Sequence, residues 1–135
     1  MATEITVMLA VHDAQSALEF YQKAFGAEVY WTIDAGGHIV AGLAIGGARF
    51  FLSTESPEFG TRGPLTAGCT TVRIELFVDD PVAVHAKAVA AGAKLRNAVQ
   101  EHKYDVVGPK PIGRMLQGAV TDPFGHIWLI GKFLD

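Results

Sequence analysis

The sequence predicts an α+β fold built from two tandem βαβββ modules within one chain of 135 residues. Half of the residues are hydrophobic and only 19% are charged, which is enough apolar material for a packed core and argues against disorder. The order strand, helix, strand, strand, strand can be read twice along the chain. Acidic residues that cap helices and glycines that end them also recur at matching places, which indicates a duplicated unit.

The first module begins with "ITVMLAV" at residues 5–11, a run typical of a strand covered on both faces. Asp13 is a suitable N-cap for the helix that follows, and Gly26 is a suitable left-handed stop. "AEVYWTID" then predicts a strand, and "HIVAGLAI" and "ARFFLS" predict a hairpin around Gly46 and Gly47. The helix is indicated by apolar residues at helical spacing, namely Ala14, Leu18, Tyr21 and Phe25, with Ala17 and Ala24 beside them.

The second module repeats this order from "VRIELFV" at residues 72–78. Asp80 is the predicted N-cap, Pro81 occupies the first helical position, and Gly92 ends the helix. "AKLRNAV" starts a strand, and a hairpin joins "RMLQGAV" to "HIWLIGKF" through the turn at residues 122–125, with His126 starting the last strand. The helix is expected to pack through the stripe Val82, Ala86, Val89 and Ala90.

These patterns divide a single domain, residues 1–135, into module one at 1–54, a linker at 55–71 and module two at 72–135. The linker lies within residues 54–71, "TESPEFGTRGPLTAGCTT", a segment rich in Pro, Gly, Ser and Thr. A second loop is predicted at residues 101–113, where Pro109 and Pro111 interrupt regular structure.

Composition excludes several classes of partner. The net charge is −3 and the eleven Lys and Arg residues are scattered, so we expect no nucleic-acid partner. Cys69 is the single cysteine, which rules out an internal disulfide and a cysteine-rich metal site and suits a reducing cytoplasm. The N-terminus does not read as a signal peptide, and no run of about 18 apolar residues predicts a membrane span.

The doubled βαβββ pattern, "V-x-D" followed by "A-L-E-F-Y-Q-K-A-F-G-A", and "D-P-F-G-H-x-W" near the C-terminus resemble the vicinal oxygen chelate superfamily. The last motif is most similar to the glyoxalase and bleomycin resistance type, including the PhnB-like branch. The resemblance covers essentially the whole chain. It implies curved mixed sheets that form a cleft, with two chains paired to complete two clefts.

In metal-using members of that superfamily, four His or Glu ligands lie on four strands. Carried over one at a time, these positions are occupied here by Thr6, Phe51, Arg73 and Leu129. Threonine is a poor ligand, phenylalanine and leucine are none, and arginine repels a cation. The neighbouring residues on either side are no better. The resemblance therefore predicts a member with no metal ligands, no cofactor and no catalytic residue of the family type.

Strand alternation predicts which side chains face the cleft. Ile5, Val7, Leu9 and Val11, and likewise Val72, Ile74, Leu76 and Val78, should pack on the helices. The opposite faces should be mostly apolar and aromatic with a few polar groups, as in a small-molecule pocket. The predicted ligand-binding residues are Thr6, Met8, Trp31, His38, Arg49, Phe51, Arg73, Glu75, Phe77, Met115, Gln117 and Leu129.

Several of these residues keep two interpretations. Arg73 and Glu75 are two residues apart on one face, so they either form a structural ion pair, possible also at a subunit contact, or orient a polar group of a ligand. Trp31 either stacks on a planar ligand or serves ordinary core or dimer packing. No pair of the five histidines has the spacing of a metal site, and His126 is expected at the surface or packed against its turn.

The sequence thus favours a homodimeric, metal-independent protein that sequesters a planar or partly apolar small molecule, such as an antibiotic, as the resemblance to bleomycin resistance proteins implies. The alternative is a glyoxalase-like lyase or isomerase, or another superfamily enzyme, with a non-standard site such as an acid–base pair of Glu75 and His38. A third interpretation is an assembly or regulatory module, because the fold alone does not define the function.

Overall fold

The computed structural model describes residues 1–104, 108–109 and 113–134, and it divides into two compact units, Met1–Thr70 and Thr71–Asp135. Each unit holds one four-stranded mixed sheet and a helix that packs on it. The α+β fold of two βαβββ modules predicted from the sequence is confirmed. In the described part of the chain, no helix is long and apolar enough to span a membrane.

The first unit has the strand order β1-β4-β3-β2, in which β1 runs parallel to β4 and the other pairs are antiparallel. Residues that the sequence assigned to the linker form a short 3₁₀ turn, Pro57–Phe59, and a one-turn helix. The elements are β1 (Met8–Val11), α1 (Ala14–Phe25), β2 (Glu28–Ala35), β3 (His38–Ile45), β4 (Ala48–Thr54) and α2 (Pro64–Ala67).

The second unit repeats this topology with the strand order β5-β8-β7-β6 and a parallel β5–β8 pair. Its elements are β5 (Arg73–Phe77), α3 (Pro81–Ala91), β6 (Lys94–Lys103), β7 (Arg114–Thr121) and β8 (Ile127–Phe133).

The predicted helix boundaries are confirmed at both ends. Asp13 accepts a hydrogen bond from Ser16 N at 3.0 Å, and Asp80 accepts one from Ala83 N at 3.1 Å, so each carboxylate satisfies a backbone donor of the first turn. Gly26 ends α1 with φ 65°, a left-handed conformation that favours glycine.

Each sheet buries one face against its helix. In the first unit α1 buries Leu18 and Tyr21, and the sheet face on its side carries the buried Leu9, Leu43 and Leu52. In the second unit α3 packs on the face that carries the fully buried Trp128, Ile130 and Val120. We call the opposite face of each sheet its open face. Cross-strand pairing places Met8, Phe51, Gly42 and Trp31 on the first open face and Glu75, Leu129, Ala119 and Asn97 on the second.

Three residues predicted to pack on the helices are exposed instead. Ile5 is 90% exposed and Val7 54%, because β1 begins only at Met8 and the helix does not reach residues before it. Val72 is 51% exposed for the same reason, since β5 begins at Arg73. The predicted strands were too long at their N-terminal ends.

The buried stripe of α3 was also predicted wrongly. Its buried residues are Pro81, His85 and Ala88, whereas Val82 is 59% exposed. Nε2 of His85 lies 3.0 Å from Asn97 O and 3.3 Å from Ala119 O, so a polar side chain holds the helix to the sheet. An alanine- and valine-rich helix has little amphipathic contrast, and its rotation is therefore poorly defined by the sequence.

The loop predicted at 101–113 begins later than expected, because β6 continues through Lys103 with His102 opposite Met115. Residues 105–107 and 110–112 of that loop lie outside the described residues. The last strand begins at Ile127, one residue after the predicted His126.

The duplication extends to an irregularity in the sheets. The pairing of β6 with β7 shifts between Leu95 and Asn97, and the pairing of β2 with β3 shifts between Val29 and Trp31, as at a β-bulge.

Candidate ligand-binding site

On the first open face, one cross-strand row runs Met8, Phe51, Gly42, Trp31. The Trp31 and Phe51 rings meet edge to face with centroids 5.1 Å apart. The indole lies directly on Gly42, where any added Cβ would overlap the ring. Met8 is 49% exposed beside this pair. Glycine at position 42 thus makes room for an aromatic surface that a planar molecule can contact.

The remaining predicted residues of this unit flank the row. Arg49 places its guanidinium 5.3 Å from the centroid of Tyr30, a cation–π contact. His38 begins β3 as predicted, and its Nε2 lies 2.9 Å from Ser56 Oγ, which ties it to the segment after β4. Thr6 is half-buried and precedes β1. That His38 and Thr6 contact a ligand stays a prediction.

On the second open face, six predicted residues line one open cavity of about 410 Å³. Its apolar part includes Phe77 and Phe133, whose rings stack with centroids 4.6 Å apart and planes inclined by 22°. They remain 47% and 42% exposed. Gly131 lies between Phe77 and Gln117 in the cross-strand order, and Met115 Cε lies 3.3 Å from where a Cβ on Gly131 would be. The six residues are Arg73, Glu75, Phe77, Met115, Gln117 and Leu129.

Arg73 and Glu75 share this face but do not pair with each other. Glu75 Oε1 accepts a hydrogen bond from Gln117 Nε2 at 3.1 Å. This bond joins β5 to β7 across the intervening strand β8. Among the described residues, the Arg73 guanidinium has neither a hydrogen bond nor an ion pair. The intramolecular ion pair considered from the sequence is therefore absent, and both charges face the cavity.

A second open cavity of about 330 Å³ adjoins the first and shares Gln117 and Leu129 with it. Its further lining includes the side chains of Asn97, Gln100 and His102 on β6. Sequence reasoning missed these residues and Phe133, because the bulges in β6 disrupt simple alternation and because β6 was ended too early. Following the alternation of "HIWLIGKF" from Leu129 through Gly131 identifies Phe133.

Asp122 and His126, in the conspicuous "DPFGH" motif, serve the turn and not the open face. Asp122 is buried and accepts hydrogen bonds from the N–H groups of Phe124 and His126 and from Trp128 Nε1, each at 2.9 Å. His126 is 5% exposed and packs against the turn, one of its two predicted placements. The motif holds the β7–β8 connection to the core through Trp128.

Among the described ionisable groups, two carboxyls have clearly lowered pKa values, and both belong to the first unit. The pKa of Glu55 is lowered chiefly by the hydrogen bond from Gly63 N, and that of Asp13 by the one from Ser16 N. Both act as local caps. Neither shift marks an acid or base on an open face.

The four positions equivalent to superfamily metal ligands hold the residues already identified from the sequence. Phe51 and Leu129 are half-buried on the open faces, Arg73 is exposed and Thr6 is half-buried. Within residues 1–104, 108–109 and 113–134, no group of three or more His, Cys, Asp or Glu side chains is arranged to hold a metal ion. The described residues thus do not fit the metal centre that the superfamily implies.

The fold defines a class: proteins built from two tandem βαβββ modules, each with a four-stranded mixed sheet. The model of the Glyoxalase/Bleomycin resistance protein/Dioxygenase superfamily matches residues 5–130. The chain therefore belongs to that superfamily.

Relatives and solved structures agree with this assignment. An uncharacterized protein of Mycobacterium bovis is 34% identical over an alignment of 129 residues that covers 92% of this chain and 79% of the relative. TioX from Micromonospora sp. ML1 has a TM-score of 0.68 at 24% identity and covers 98% of both chains. The fosfomycin resistance protein FosX from Listeria monocytogenes has a TM-score of 0.70 at 14% identity, over 98% of this chain and 94% of its own. At these identities the two structures show the shared fold.

Proposed function

We propose that this protein is a metal-independent binding protein that sequesters a planar or partly apolar small molecule. The observation that carries the proposal is the open cavity of about 410 Å³, where Phe77 and Phe133 remain exposed beside a few polar groups. Cavities of this size with an apolar lining and sparse polar groups are typical of small-molecule sites. Exposed aromatic side chains cost free energy unless something covers them.

Sequestration requires only affinity. Burial of apolar ligand surface contributes roughly 25 cal/mol per Å², and the polar groups of the cavity orient the ligand. The aromatic surface of Trp31 and Phe51 adds a second place for a planar group. FosX is a fosfomycin resistance protein of the same fold, which makes an antibiotic a reasonable member of the ligand class.

The proposal includes that the protein holds no metal ion, and this can be measured directly. We expect elemental analysis after dialysis to find well under one Zn, Ni, Fe or Mn per chain, because Thr6, Phe51, Arg73 and Leu129 are not metal ligands. About one ion per chain retained through dialysis would contradict the proposal and favour a glyoxalase-like lyase or isomerase.

A homodimer is also part of the proposal. Several large apolar side chains outside the core are exposed, among them Ile5, Ile33 and Phe77 at 90%, 60% and 47%. Such a surface favours association. We expect sedimentation at micromolar concentration to give about twice the chain mass of 14.4 kDa. A single species with the mass of one chain would contradict the dimer.

A cytoplasmic location is also part of the proposal, because a single unpaired thiol, Cys69, suits a reducing compartment.

Binding is tested with N-phenyl-1-naphthylamine, an uncharged aromatic probe whose fluorescence rises in apolar surroundings. We expect saturable binding, and displacement of the probe by at least one compound from a panel of planar antibiotics. Phe77→Ala should weaken probe binding because it removes half of the exposed aromatic pair. Val82→Ala, an apolar truncation at the exposed residue Val82 on the outer side of α3, is the control and should not weaken probe binding. Non-saturable binding, or equal loss in both variants, would contradict the proposal.

A further inference from the structure

We propose that the cavity on the second open face binds the zwitterionic head group of an α-amino acid, or of a molecule that ends in one, with an aromatic side chain packed on Phe77 and Phe133. This inference rests on the proposed function and specifies the ligand class. Arg73 would hold the carboxylate, and Glu75 would hold the ammonium group.

The two charges are available for a ligand. Arg73 and Glu75 are two residues apart on β5 and both line the cavity, yet they form no ion pair. Glu75 uses Oε1 for the hydrogen bond from Gln117, and Oε2 makes no hydrogen bond to the described residues. The amide of Gln117 thus holds the carboxylate toward β7 and away from Arg73. A cation and an anion therefore stand side by side without neutralising each other.

The backbone spacing of the two residues that carry these charges suits one small amphoteric group. Alternate residues on a strand lie about 6.6–6.8 Å apart, from a rise of about 3.3–3.4 Å per residue. In an α-amino acid the ammonium nitrogen and carboxylate carbon are bonded to one carbon atom, by bonds of about 1.5 Å. With charge-assisted hydrogen bonds of about 2.7–2.9 Å on either side, the head group bridges Arg73 and Glu75. A purely anionic or purely cationic ligand satisfies one charge and is repelled by the other.

The side chain of such a ligand has an adjoining apolar surface. Leu129 is the cross-strand neighbour of Glu75, and Gly131 is the neighbour of Phe77. Gly131 contributes no side chain, and the stacked rings of Phe77 and Phe133 remain exposed beside it, next to the end of the Met115 side chain. An aromatic group attached to the bound head group can pack there, because aromatic rings favour offset or edge contacts with other rings.

Three related compounds test the head group by isothermal titration calorimetry of the full chain. L-Phenylalanine carries both charges, 3-phenylpropionate lacks the ammonium group, and phenethylamine lacks the carboxylate. We expect L-phenylalanine to bind about tenfold or more tightly than either analogue, because each analogue leaves one charge unpaired. Equal affinity for all three, or tighter binding of an analogue, would overturn the inference.

Two substitutions assign the charges. Arg73→Gln should lower the affinity for L-phenylalanine to the wild-type value for phenethylamine, and Glu75→Gln should lower it to the value for 3-phenylpropionate. Lys94→Gln and Glu28→Gln change the net charge equally at exposed positions outside the cavity and should leave the preference intact. Equal losses in the control variants would show a net-charge effect and overturn the assignment. Melting temperatures within 2 °C of wild type would establish that the fold is preserved.

The outcome separates this inference from the proposed function. If N-phenyl-1-naphthylamine binds saturably and L-phenylalanine neither binds nor displaces it, the zwitterion inference fails while a binding function stands. If neither compound binds, both fail. If L-phenylalanine displaces the probe from wild type and not from Arg73→Gln, both are supported.

Discussion

The two units share a topology and a register but present different chemistry on equivalent rows of their open faces. In the first unit the row is Met8, Phe51, Gly42, Trp31, and the indole fills the space above the glycine. In the second unit the equivalent row is Glu75, Leu129, Ala119, Asn97, with polar groups at both ends and a cavity beside it. The same backbone thus provides an aromatic surface once and a charged cavity once, which shows that side chains and not topology set the chemistry.

The final hairpins differ in a similar way. The β3–β4 turn of the first unit uses Gly46 and Gly47 at φ 54° and 85°, a tight connection that only glycine adopts without strain. The β7–β8 turn is longer, and the buried Asp122 carboxylate organises it. Backbone freedom defines one turn, whereas a buried polar network defines the other.

The largest expected effect comes from breaking that network. Asp122→Ala leaves buried donors at Phe124 N, His126 N and Trp128 Nε1 without this acceptor, and we expect a loss of about 3 kcal/mol or more in the free energy of unfolding. Asp34→Ala is the control, because it removes an exposed acceptor of the hydrogen bond from Gly37 N. We expect it to lower the free energy of unfolding by about 1 kcal/mol or less. Urea unfolding measures both. Similar losses in the two variants would mean that burial of the Asp122 network contributes little.

A smaller effect is expected at the glycine under Trp31. Gly42→Ala forces the indole to move, and we expect a loss of about 1–3 kcal/mol, as is usual for overpacking. In a Trp31→Ala background the same substitution should cost almost nothing, because the obstructing ring is gone. A double-mutant cycle of urea unfolding checks this. If the losses of the two single variants add up in the double variant, the cost of Gly42→Ala arises at the backbone of Gly42 and not from contact with the indole.

The smallest effect concerns acid sensitivity in the first unit. The hydrogen bonds from Gly63 N and Thr66 Oγ1 lower the pKa of Glu55 below its ordinary value of 4.5. Because the folded pKa lies below the unfolded one, this contribution is present above pH 4.5 and is lost as the pH falls through the folded pKa. Wild type should therefore melt higher than Glu55→Gln at pH 7, and the difference should shrink below pH 4.5.

Glu58→Gln serves as the control in that experiment, because Glu58 lies in the same segment and makes no such hydrogen bonds. Its melting temperature should follow that of wild type at every pH. If the difference in melting temperature between wild type and Glu55→Gln stays constant from pH 7 to pH 3.5, the ionised Glu55 carboxylate is not the source of the stabilisation.

Much of the fold was predictable because local sequence carries it. Asp13, Gly26 and Asp80 were identified as helix ends, since capping and left-handed backbone depend on the residue itself and its immediate neighbours. The strand ends at Ile5 and Val72 were not, because burial there depends on how far the covering helix extends. The face of α3 was missed because small apolar residues surround most of that helix.

The sequence by itself determined the duplication, the order of elements and the turns, and through the resemblance it predicted four positions without metal-ligand side chains. It left open whether Arg73 and Glu75 pair with each other. Tertiary structure decided that question, because Gln117 comes from a strand 42 residues away and takes the carboxylate. It also decided that His85 is a packing residue and that Trp31 lies on Gly42. Such outcomes depend on cross-strand register, which bulges shift and which no local pattern encodes.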